Sequence, residues 1–292
     1  MNTAQAEHYA FGPWIVEVTD KNLLPPLFVP YYKGSNSFLM LIKIPRNIDR
    51  RNAVPGMDLY DYVIGLYEDY IYLLERKEKA VEETTFSYRE IEGLEYFIDL
   101  LLGRLTIYLK DRKIQISYNS VSKNIITKII KIIRSKYAIW SYQKIATDTN
   151  QNECVEPLYM SLLNSMKSDD DIMALTAVQP SITVKTANQS FLQKLLYTIF
   201  RKKLLPSLHL ANDKELLVIS RGQAFKFRDA VYSYALTYIP TEKIQGIELV
   251  KDKNYDNILR LELKINNETF LFHLDVNNKT VQDYYKNLKS LL

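Results

Sequence analysis

Few residues of this chain have the type and spacing that metal binding or catalysis requires. The histidines are His8, His209 and His273, and the single cysteine is Cys154. A zinc site needs several His or Cys residues at short spacing, which these positions do not provide. Cys154 lies beside Glu153, and a neighbouring carboxylate disfavours the thiolate that a reactive cysteine needs. The sequence therefore predicts neither a metal site nor a cysteine nucleophile.

Other motifs of ligand-binding and catalytic proteins are also missing from the sequence. The 8 glycines are dispersed, so the chain has no phosphate-binding loop, dinucleotide fingerprint or nucleophile elbow. Asp169–Asp171 offers ligands for a hard cation, although a solvated loop or a helix cap is the commoner role of such a run. His273 alternates with apolar neighbours, which predicts an exposed position on its strand. We expect no cofactor and no catalytic activity; because distant carboxylates can converge in a fold, a hydrolase-type enzyme is kept as the third alternative.

Two clusters of basic residues are the candidate sites for an anion or a partner. They are Arg46, Arg50 and Arg51 in one cluster and Arg201, Lys202 and Lys203 in the other. The second follows a helical apolar pattern from Leu192 to Phe200, which is typical of a helix that rests on an anionic membrane surface. The same arrangement arises when cations complement a helix dipole and the apolar face packs on the protein. The first cluster lacks interleaved aromatic residues, so we expect no nucleic-acid binding.

The composition is that of an ordinary globular protein of about two domains. Hydrophobic residues make up 47% and charged residues 25% of the 292 residues, and the formal net charge of +4 is too small to predict a polyanionic partner. One cysteine excludes an intramolecular disulfide, which suits a reducing compartment. Met1–His8 lacks the basic start and apolar core of a secretion signal, and no apolar run reaches the roughly 18 residues of a membrane-spanning helix. We therefore expect a cytoplasmic protein.

The apolar periodicity predicts an α+β protein in which strands are followed by helices. Proline is frequent in residues 1–56, which are expected to form an extension packed on the first domain. Strand-like alternation then runs over Tyr62–Tyr118, and the period changes to that of an amphipathic helix over Lys123–Lys136. A second strand series over Glu215–Asp275 ends in a helix over Lys279–Leu291. The order of elements is thus the same in both series.

An internal repeat relates the two series. With a register of 156 residues (261 minus 105) the middle of the chain aligns with its end, and an Ile-x-Gly motif recurs at 153 residues (244 minus 91). The aligned segments are Arg104–Leu109 with Arg260–Ile265, and Ile91–Gly93 with Ile244–Gly246. Ser122 and Asn278 precede the two predicted helices, and both are favoured N-cap residues. This agreement favours a duplication, which defines architecture better than it defines chemistry.

Antiparallel strands closed off by one amphipathic helix resemble the bacterial pleckstrin-homology (PH)-like domain, here duplicated in tandem. The resemblance covers about residues 57–137 and 205–292 and rests on element order. It implies that each copy is a curled antiparallel sheet or partly open barrel capped by its C-terminal helix. Family members that bind phosphoinositides carry Lys-x-Arg near the domain start, whereas Glu75–Lys79 and Lys226–Asp229 mix bases with acids here. The resemblance also implies a binding module for peptides or proteins.

These observations predict four segments and a binding function. They are an N-terminal extension over 1–56, a first PH-like domain over 57–140, a linker with an amphipathic helix over 141–204 and a second PH-like domain over 205–292. The polar stretch 141–185 is expected to be irregular apart from a short helix over Leu158–Met166. We expect a non-enzymatic binding or scaffold protein that recognises a protein or peptide, or associates with itself, at an open sheet edge. Peripheral binding to anionic lipid through the basic helix near Phe200 is the alternative.

Overall fold

The protein is α+β, and its sheets are mostly antiparallel. The computed structural model describes residues 3–19, 23–32, 38–78, 80–137, 156–167, 173–186, 202–226 and 232–290. Within these ranges the strands form four sheets, and none of the four closes into a barrel. The α+β class with antiparallel strands is the one that the apolar alternation predicted.

Four helices and eighteen strands are described. The helices are α1 (Thr3–Ala10), α2 (Lys123–Tyr137), α3 (Pro157–Lys167) and α4 (Lys279–Lys289). The strands are β1 (Val16–Glu17), β2 (Phe38–Pro45), β3 (Tyr60–Tyr67), β4 (Tyr70–Lys77), β5 (Ala80–Ser87), β6 (Ile91–Asp99), β7 (Leu102–Leu109), β8 (Lys113–Asn119), β9 (Ala174–Gln179), β10 (Ile182–Thr183), β11 (Lys203–Leu204), β12 (Ser207–Ala211), β13 (Glu215–Ser220), β14 (Phe225–Lys226), β15 (Tyr234–Pro240), β16 (Gly246–Lys251), β17 (Ile258–Ile265) and β18 (Glu268–Asp275). None of these described helices is long and apolar enough to cross a lipid bilayer.

The chain divides into two compact units, which differ in extent from the two sequence copies. Unit 1 consists of Met1–Ile91, Asp99–Leu105 and Gln115–Tyr137. Unit 2 consists of Glu92–Ile98, Thr106–Ile114 and Ala138–Leu292. Strands β6, β7 and β8 therefore contribute residues to both units.

Unit 1 is built on a five-stranded antiparallel sheet in the order β1-β2-β3-β4-β5. The strands are rich in aromatic and β-branched residues, which suit a pleated, half-buried surface. A 3-10 turn over Pro26–Tyr31 and the segments before it cover one face of this sheet. Phe11, Leu24 and Phe28 from this covering are buried in one cluster with Leu41 of β2. The N-terminal segment is thereby part of the core of unit 1.

Helix α2 buries one apolar face in unit 1. Its buried isoleucines recur at intervals of three and four residues, and they are Ile126, Ile129, Ile130 and Ile133. The sequence predicted Ser122 as the N-cap of this helix. In the structure the Ser122 hydroxyl instead accepts a hydrogen bond from the backbone N–H of Ile15 at 2.8 Å. Ser122 therefore fastens the N-terminal segment to the start of α2.

A seven-stranded sheet has the order β8-β7-β6-β15-β13-β12-β9. Within unit 2, Leu94–Ile98 of β6 pairs antiparallel with Tyr234–Tyr238 of β15. The prediction that each sequence copy forms a sheet of its own is wrong here, because β6 belongs to the first copy and β15 to the second. Without this pairing, β6 and β15 would each expose a row of backbone N–H and C=O groups that lack hydrogen-bond partners. The pairing supplies partners to both rows.

Strands β16, β17 and β18 form a three-stranded sheet that shares a core with α4. The buried residues include Leu261, Leu263 and Val281. The predicted N-cap of α4 is present, because the Asn278 side chain accepts a hydrogen bond from the Thr280 N–H at 3.1 Å. The local signals at this helix start were therefore sufficient to locate it.

Burial follows the repeat in the strands but is displaced by one residue in the helices. At 156 residues, three buried pairs agree, namely Leu105 with Leu261, Ile107 with Leu263 and Leu109 with Ile265. The buried helix positions agree at 155 residues (281 minus 126), and they are Ile126 with Val281, Ile129 with Tyr284 and Ile133 with Leu288. The predicted helix pairing of Ile125, Ile129 and Ile132 with Val281, Tyr285 and Leu288 is therefore displaced by one residue. Since one residue turns a helix by about 100°, this displacement changes which side chains face the core.

The range predicted as a linker contains regular structure. The short helix predicted over Leu158–Met166 is present as α3. The prediction of irregular structure up to residue 185 is wrong for β9, which pairs with β12 in unit 2. Polar composition did not prevent burial, because the Gln179 side chain accepts a hydrogen bond from the Asp275 N–H at 2.7 Å and donates to the Pro180 carbonyl at 2.8 Å.

Candidate functional site

Strand β5 forms an open edge of the five-stranded sheet in unit 1. Ala80–Ser87 pairs along its whole length with Tyr70–Lys77 of β4, and no other described strand pairs with its outer side. Its exposed residues include Glu82, Glu83 and Thr85. An edge of 8 residues presents a row of backbone N–H and C=O groups to any chain that can pair with it.

Two adjacent glutamates make this edge acidic. A Glu82 carboxylate oxygen lies 3.6 Å from Lys77 Nζ. The Tyr72 hydroxyl donates to Glu83 Oε2 at 2.5 Å. Burial, the hydrogen bond and the charge of Glu83 all raise the pKa of Tyr72 above its ordinary value. Tyr72 therefore stays protonated and holds the Glu83 carboxylate in place at the edge.

Aromatic rings lie on the inner strands of the same sheet, and one of them, Tyr70, is on β4 next to the edge strand. Tyr67 and Tyr70 stack with ring centroids 4.6 Å apart, and Phe38 meets Tyr67 edge-on at 5.9 Å. Tyr70 lies directly opposite Ser87 of β5 in the ladder. Tyr70 is therefore the ring of this group that lies nearest to the outer side of β5.

Lys43 and Glu7 are both partly buried in unit 1, and their charges influence each other. Lys43 Nζ donates to the Leu23 carbonyl at 2.6 Å and lies 4.4 Å from the centroid of the Tyr60 ring. Burial lowers the pKa of Lys43 and raises the pKa of Glu7, and each charge partly offsets the shift of the other. A lysine nucleophile needs contact with its substrate, whereas this amine is enclosed by protein groups. We therefore assign the pair a structural role.

Replacing Lys43 by methionine is expected to raise the pKa of Glu7 further, because the neighbouring positive charge that lowers it is removed. The measurement is a pH titration of the Glu7 carboxyl carbon by NMR. Lys77→Met is the matched control, since it removes an exposed lysine that pairs with Glu75 instead. An unchanged Glu7 pKa in Lys43→Met would contradict the assignment.

Ser207, His209 and Tyr284 form a hydrogen-bonded row inside unit 2. His209 Nε2 lies 3.2 Å from Ser207 Oγ, and its Nδ1 lies 3.0 Å from Tyr284 Oη. A serine, a histidine and an orienting group in this order are typical of nucleophilic active sites. Here His209 is fully buried, and burial lowers its pKa to about 3, so it is a poor base at neutral pH. The row is a structural link between β12 and α4.

His273 is not exposed, contrary to the prediction from the alternation along β18. Its ring packs edge-on against Phe225 with centroids 4.6 Å apart, and its Nε2 lies 3.8 Å from an Asp252 carboxylate oxygen. Burial lowers the pKa of His273, and Asp252 acts in the opposite direction. The alternation was interpreted correctly, but β14 covers the second face of the strand, which the sequence pattern does not show.

The first predicted basic cluster binds groups of its own unit. The partners are the Asp58 carbonyl for Arg46 at 3.0 Å, the Tyr9 carbonyl for Arg50 at 3.1 Å and the Asp49 carboxylate for Arg51 at 2.8 Å. Arg46 is largely covered, whereas the side chain of Arg51 is 83% exposed. The three arginines therefore have three different partners. These contacts do not bring the three guanidinium groups together around one position.

The second predicted basic cluster is described only in part. Arg201 and the predicted helix up to Phe200 lie outside the described residues. Lys202 donates to the Tyr255 hydroxyl and lies 5.2 Å from the centroid of the Phe225 ring. Lys202 is therefore engaged with aromatic groups of unit 2.

Lys203 is exposed in the short strand β11, where it lies opposite Lys226 of β14. Two other sequence candidates, Cys154 and Asp169–Asp171, lie outside the described residues. In the part of the chain that the structure describes, His, Cys, Asp and Glu side chains form no group of three that could hold a metal ion.

The open acidic edge of β5 is accessible, while His209, His273 and Lys43 are enclosed by packing. The edge offers main-chain hydrogen bonding and negative charge in one place. Comparison of the sequence with models of known protein families and with curated proteins gives no match.

Proposed function

We propose that this protein is a non-enzymatic binding protein made of two PH-like copies, in which β5 pairs with an extended segment of a partner protein. The observation that carries the proposal is the outer side of the 8-residue strand β5, with which no other strand in the described part of the chain pairs. Support for PH-like copies comes from the element order, since strands are followed by one amphipathic helix in each copy, α2 and α4. Such a role requires no catalytic residue.

If a partner segment pairs with β5 as an added strand, the residues of β5 determine which partner sequence can bind. The added chain would form main-chain hydrogen bonds along the edge and place alternate side chains on the two faces of the sheet. Residues directly opposite each other in an antiparallel pair have Cβ atoms about 5 Å apart, which is within reach of a charge pair. A lysine or arginine of the partner would therefore contact Glu83 on one face or Glu82 on the other. The partner segment is expected to be extended and cationic.

The same acidic residues oppose pairing between two copies of β5. A self-paired edge would bring Glu82 and Glu83 of both copies onto one ladder, and like charges that face each other across a ladder are destabilising. A different protein with a basic segment is therefore the favoured partner, and self-association through this edge is the alternative.

Glu83→Lys is expected to weaken binding of a cationic extended peptide about fivefold or more, because an attractive cross-strand pair becomes repulsive. The probe is a fluorescein-labelled peptide of alternating valine and lysine, and the measurement is fluorescence anisotropy. Glu17→Lys is the matched control. It makes the same change in net charge on β1, at the opposite edge of the same sheet, and should leave binding unchanged.

Two further peptides separate strand addition from charge attraction alone. One carries N-methyl groups at alternate residues, which removes main-chain donors but retains every lysine. The other has glutamate in place of lysine. We expect both to lose most of the binding. The proposal fails if the N-methylated peptide binds as well as the parent, or if Glu83→Lys and Glu17→Lys have equal effects.

A further inference from the structure

The turn that joins β6 to β7 exposes three consecutive leucines of unit 1. Leu100 is 68% exposed, Leu101 is 64% exposed and Leu102 is 46% exposed. Single exposed apolar residues are common, but contiguous ones on the tip of a hairpin mark a surface that contacts something apolar. Burial in the core of the fold therefore does not explain why leucines occupy this turn.

The backbone of this turn is also unfavourable for leucine. Leu100 has a φ of 51°, in the left-handed region that glycine and asparagine adopt most readily. The corresponding hairpin of the second copy, between β16 and β17, is polar and reads Asp252–Asn257. The fold thus accepts a polar connection at this place. The leucines of the first copy combine backbone strain with apolar exposure, and such outliers are concentrated at functional positions.

Two hydrogen bonds place the chain neighbours of Val121 and Trp14: one joins Ser120 to the leucine turn, and the other joins Ile15 to Ser122. The Ser120 N–H donates to the Leu101 carbonyl at 2.9 Å, and the next residue, Val121, is 56% exposed. The Ser122 hydroxyl accepts from the Ile15 N–H at 2.8 Å, and Trp14 beside it is 50% exposed. These exposed residues, namely Leu100, Leu101, Leu102, Val121 and Trp14, are called the apolar tip below.

Positive charge adjoins the apolar tip. Helix α2 starts two residues after Val121 and contains five lysines and arginines but no aspartate or glutamate. Lys123 and Lys128, in its first two turns, are exposed. Apolar residues flanked by cations are the combination that binds anionic lipid surfaces, and tryptophan favours the membrane interface.

We propose that the apolar tip docks unit 1 on an anionic phospholipid membrane. The leucines and Trp14 enter the boundary between head groups and acyl chains, while Lys123 and Lys128 contact lipid phosphates and serine carboxylates. This docking goes beyond the proposed peptide binding, because it uses a different surface of unit 1 with the opposite charge.

The test is co-sedimentation of the full chain with vesicles of equimolar phosphatidylcholine and phosphatidylserine, and with vesicles of phosphatidylcholine alone. We expect binding to the anionic vesicles that weakens in high salt. The double variant Leu100→Gly, Leu101→Ser should bind at least about tenfold more weakly, because two apolar side chains no longer leave water. Glycine relieves the left-handed backbone at position 100, so the variant should retain its melting temperature.

Two controls keep the proposal open to refutation. Leu271→Ser removes another exposed leucine, which is 40% exposed on β18, and should bind vesicles like the wild type. In a Trp140→Phe background, the fluorescence of Trp14 should shift to the blue when anionic vesicles are added. The proposal is overturned if the wild type does not bind anionic vesicles, or if the double variant binds as well as the wild type. A wild-type dimer that becomes a monomer in the double variant, without vesicle binding, would identify the tip as a self-association contact instead.

Discussion

Lowering the pH from 7.5 to 5 is expected to reduce the free energy of unfolding by about 2 kcal/mol through His209 alone. Burial lowers the pKa of this imidazole from 6.5 to about 3. Between these values the unfolded chain binds a proton that the folded chain does not bind. Stability is therefore complete above pH 6.5 and declines as the pH falls toward the folded-state pKa. The physical cause is the enclosed site, where Ser207, Tyr284 and the edge-on ring of Phe272 surround His209.

Urea unfolding of the wild type and of His209→Gln at both pH values measures this effect. Glutamine retains polar contact within the row but does not titrate, so the variant should lose about 2 kcal/mol less than the wild type on acidification. His273→Gln is the matched control, because it removes a second histidine whose pKa is lowered by burial. At His273 the charge of Asp252 opposes that lowering. Equal pH dependence in the wild type and His209→Gln would show that another group is responsible.

Gly93→Ala is expected to lower the free energy of unfolding by about 2 kcal/mol through overpacking. A Cβ at this position would lie 2.6 Å from Phe270 Cζ and 3.2 Å from the Tyr238 carbonyl oxygen. Phe270 is held by the Tyr108 ring at a centroid distance of 4.8 Å. Tyr238 belongs to β15, which is paired with β6. Neither neighbour can move away without disturbing other contacts in unit 2.

Gly246→Ala is the matched control for this prediction, because Gly246 occupies the same Ile-x-Gly motif in the second copy. There a Cβ would lie 3.6 Å from Lys264 Cβ, which is an ordinary contact. Alanine loses less backbone entropy than glycine when a strand forms, so a gain of about 0.5 kcal/mol is expected. Chemical denaturation of both variants measures the difference. Similar losses in the two variants would refute the packing explanation.

The two proposed surfaces of unit 1 carry opposite charges. The β5 edge presents Glu82 and Glu83, whereas the apolar tip adjoins Lys123 and Lys128. An acidic edge is repelled by an anionic membrane, and a cationic tip is repelled by a basic peptide. The two ligands are therefore expected to bind without competing for one site. Glu83→Lys should affect only the peptide assay, and the leucine variant should affect only the vesicle assay.

Element positions were predictable where the local pattern was strong. The strand series predicted over Glu215–Asp275 contains β17 (Ile258–Ile265), whose side chains alternate regularly between the core and the other face. Helix α2 was predicted one residue shorter than it is. The strand-like alternation predicted over Tyr62–Tyr118 did not show that β6 ends at Asp99. The following leucines look like a strand because the turn contains neither glycine nor asparagine.

The candidate sites were much less predictable than the elements. An open sheet edge was expected, but the sequence did not identify β5 as that edge. The exposed leucines were missed, since an apolar run normally predicts burial. The basic residues singled out in the sequence include Arg46 and Lys202, which the structure shows in contacts with their own units. Charge is visible in a sequence, whereas the partner that neutralises it is not.

The sequence by itself determined the α+β class, most strand positions and the amphipathic pattern of α2 and α4. These features depend on residues a few positions apart, because strand and helix periods are local properties of the backbone. Only the tertiary structure decided that β6 pairs with β15, that His209 is buried and that Leu100 is exposed. Those outcomes depend on contacts between distant residues, such as Glu92 and Asn266, which are 174 positions apart. Burial and edge formation follow from such contacts, and no local pattern contains them.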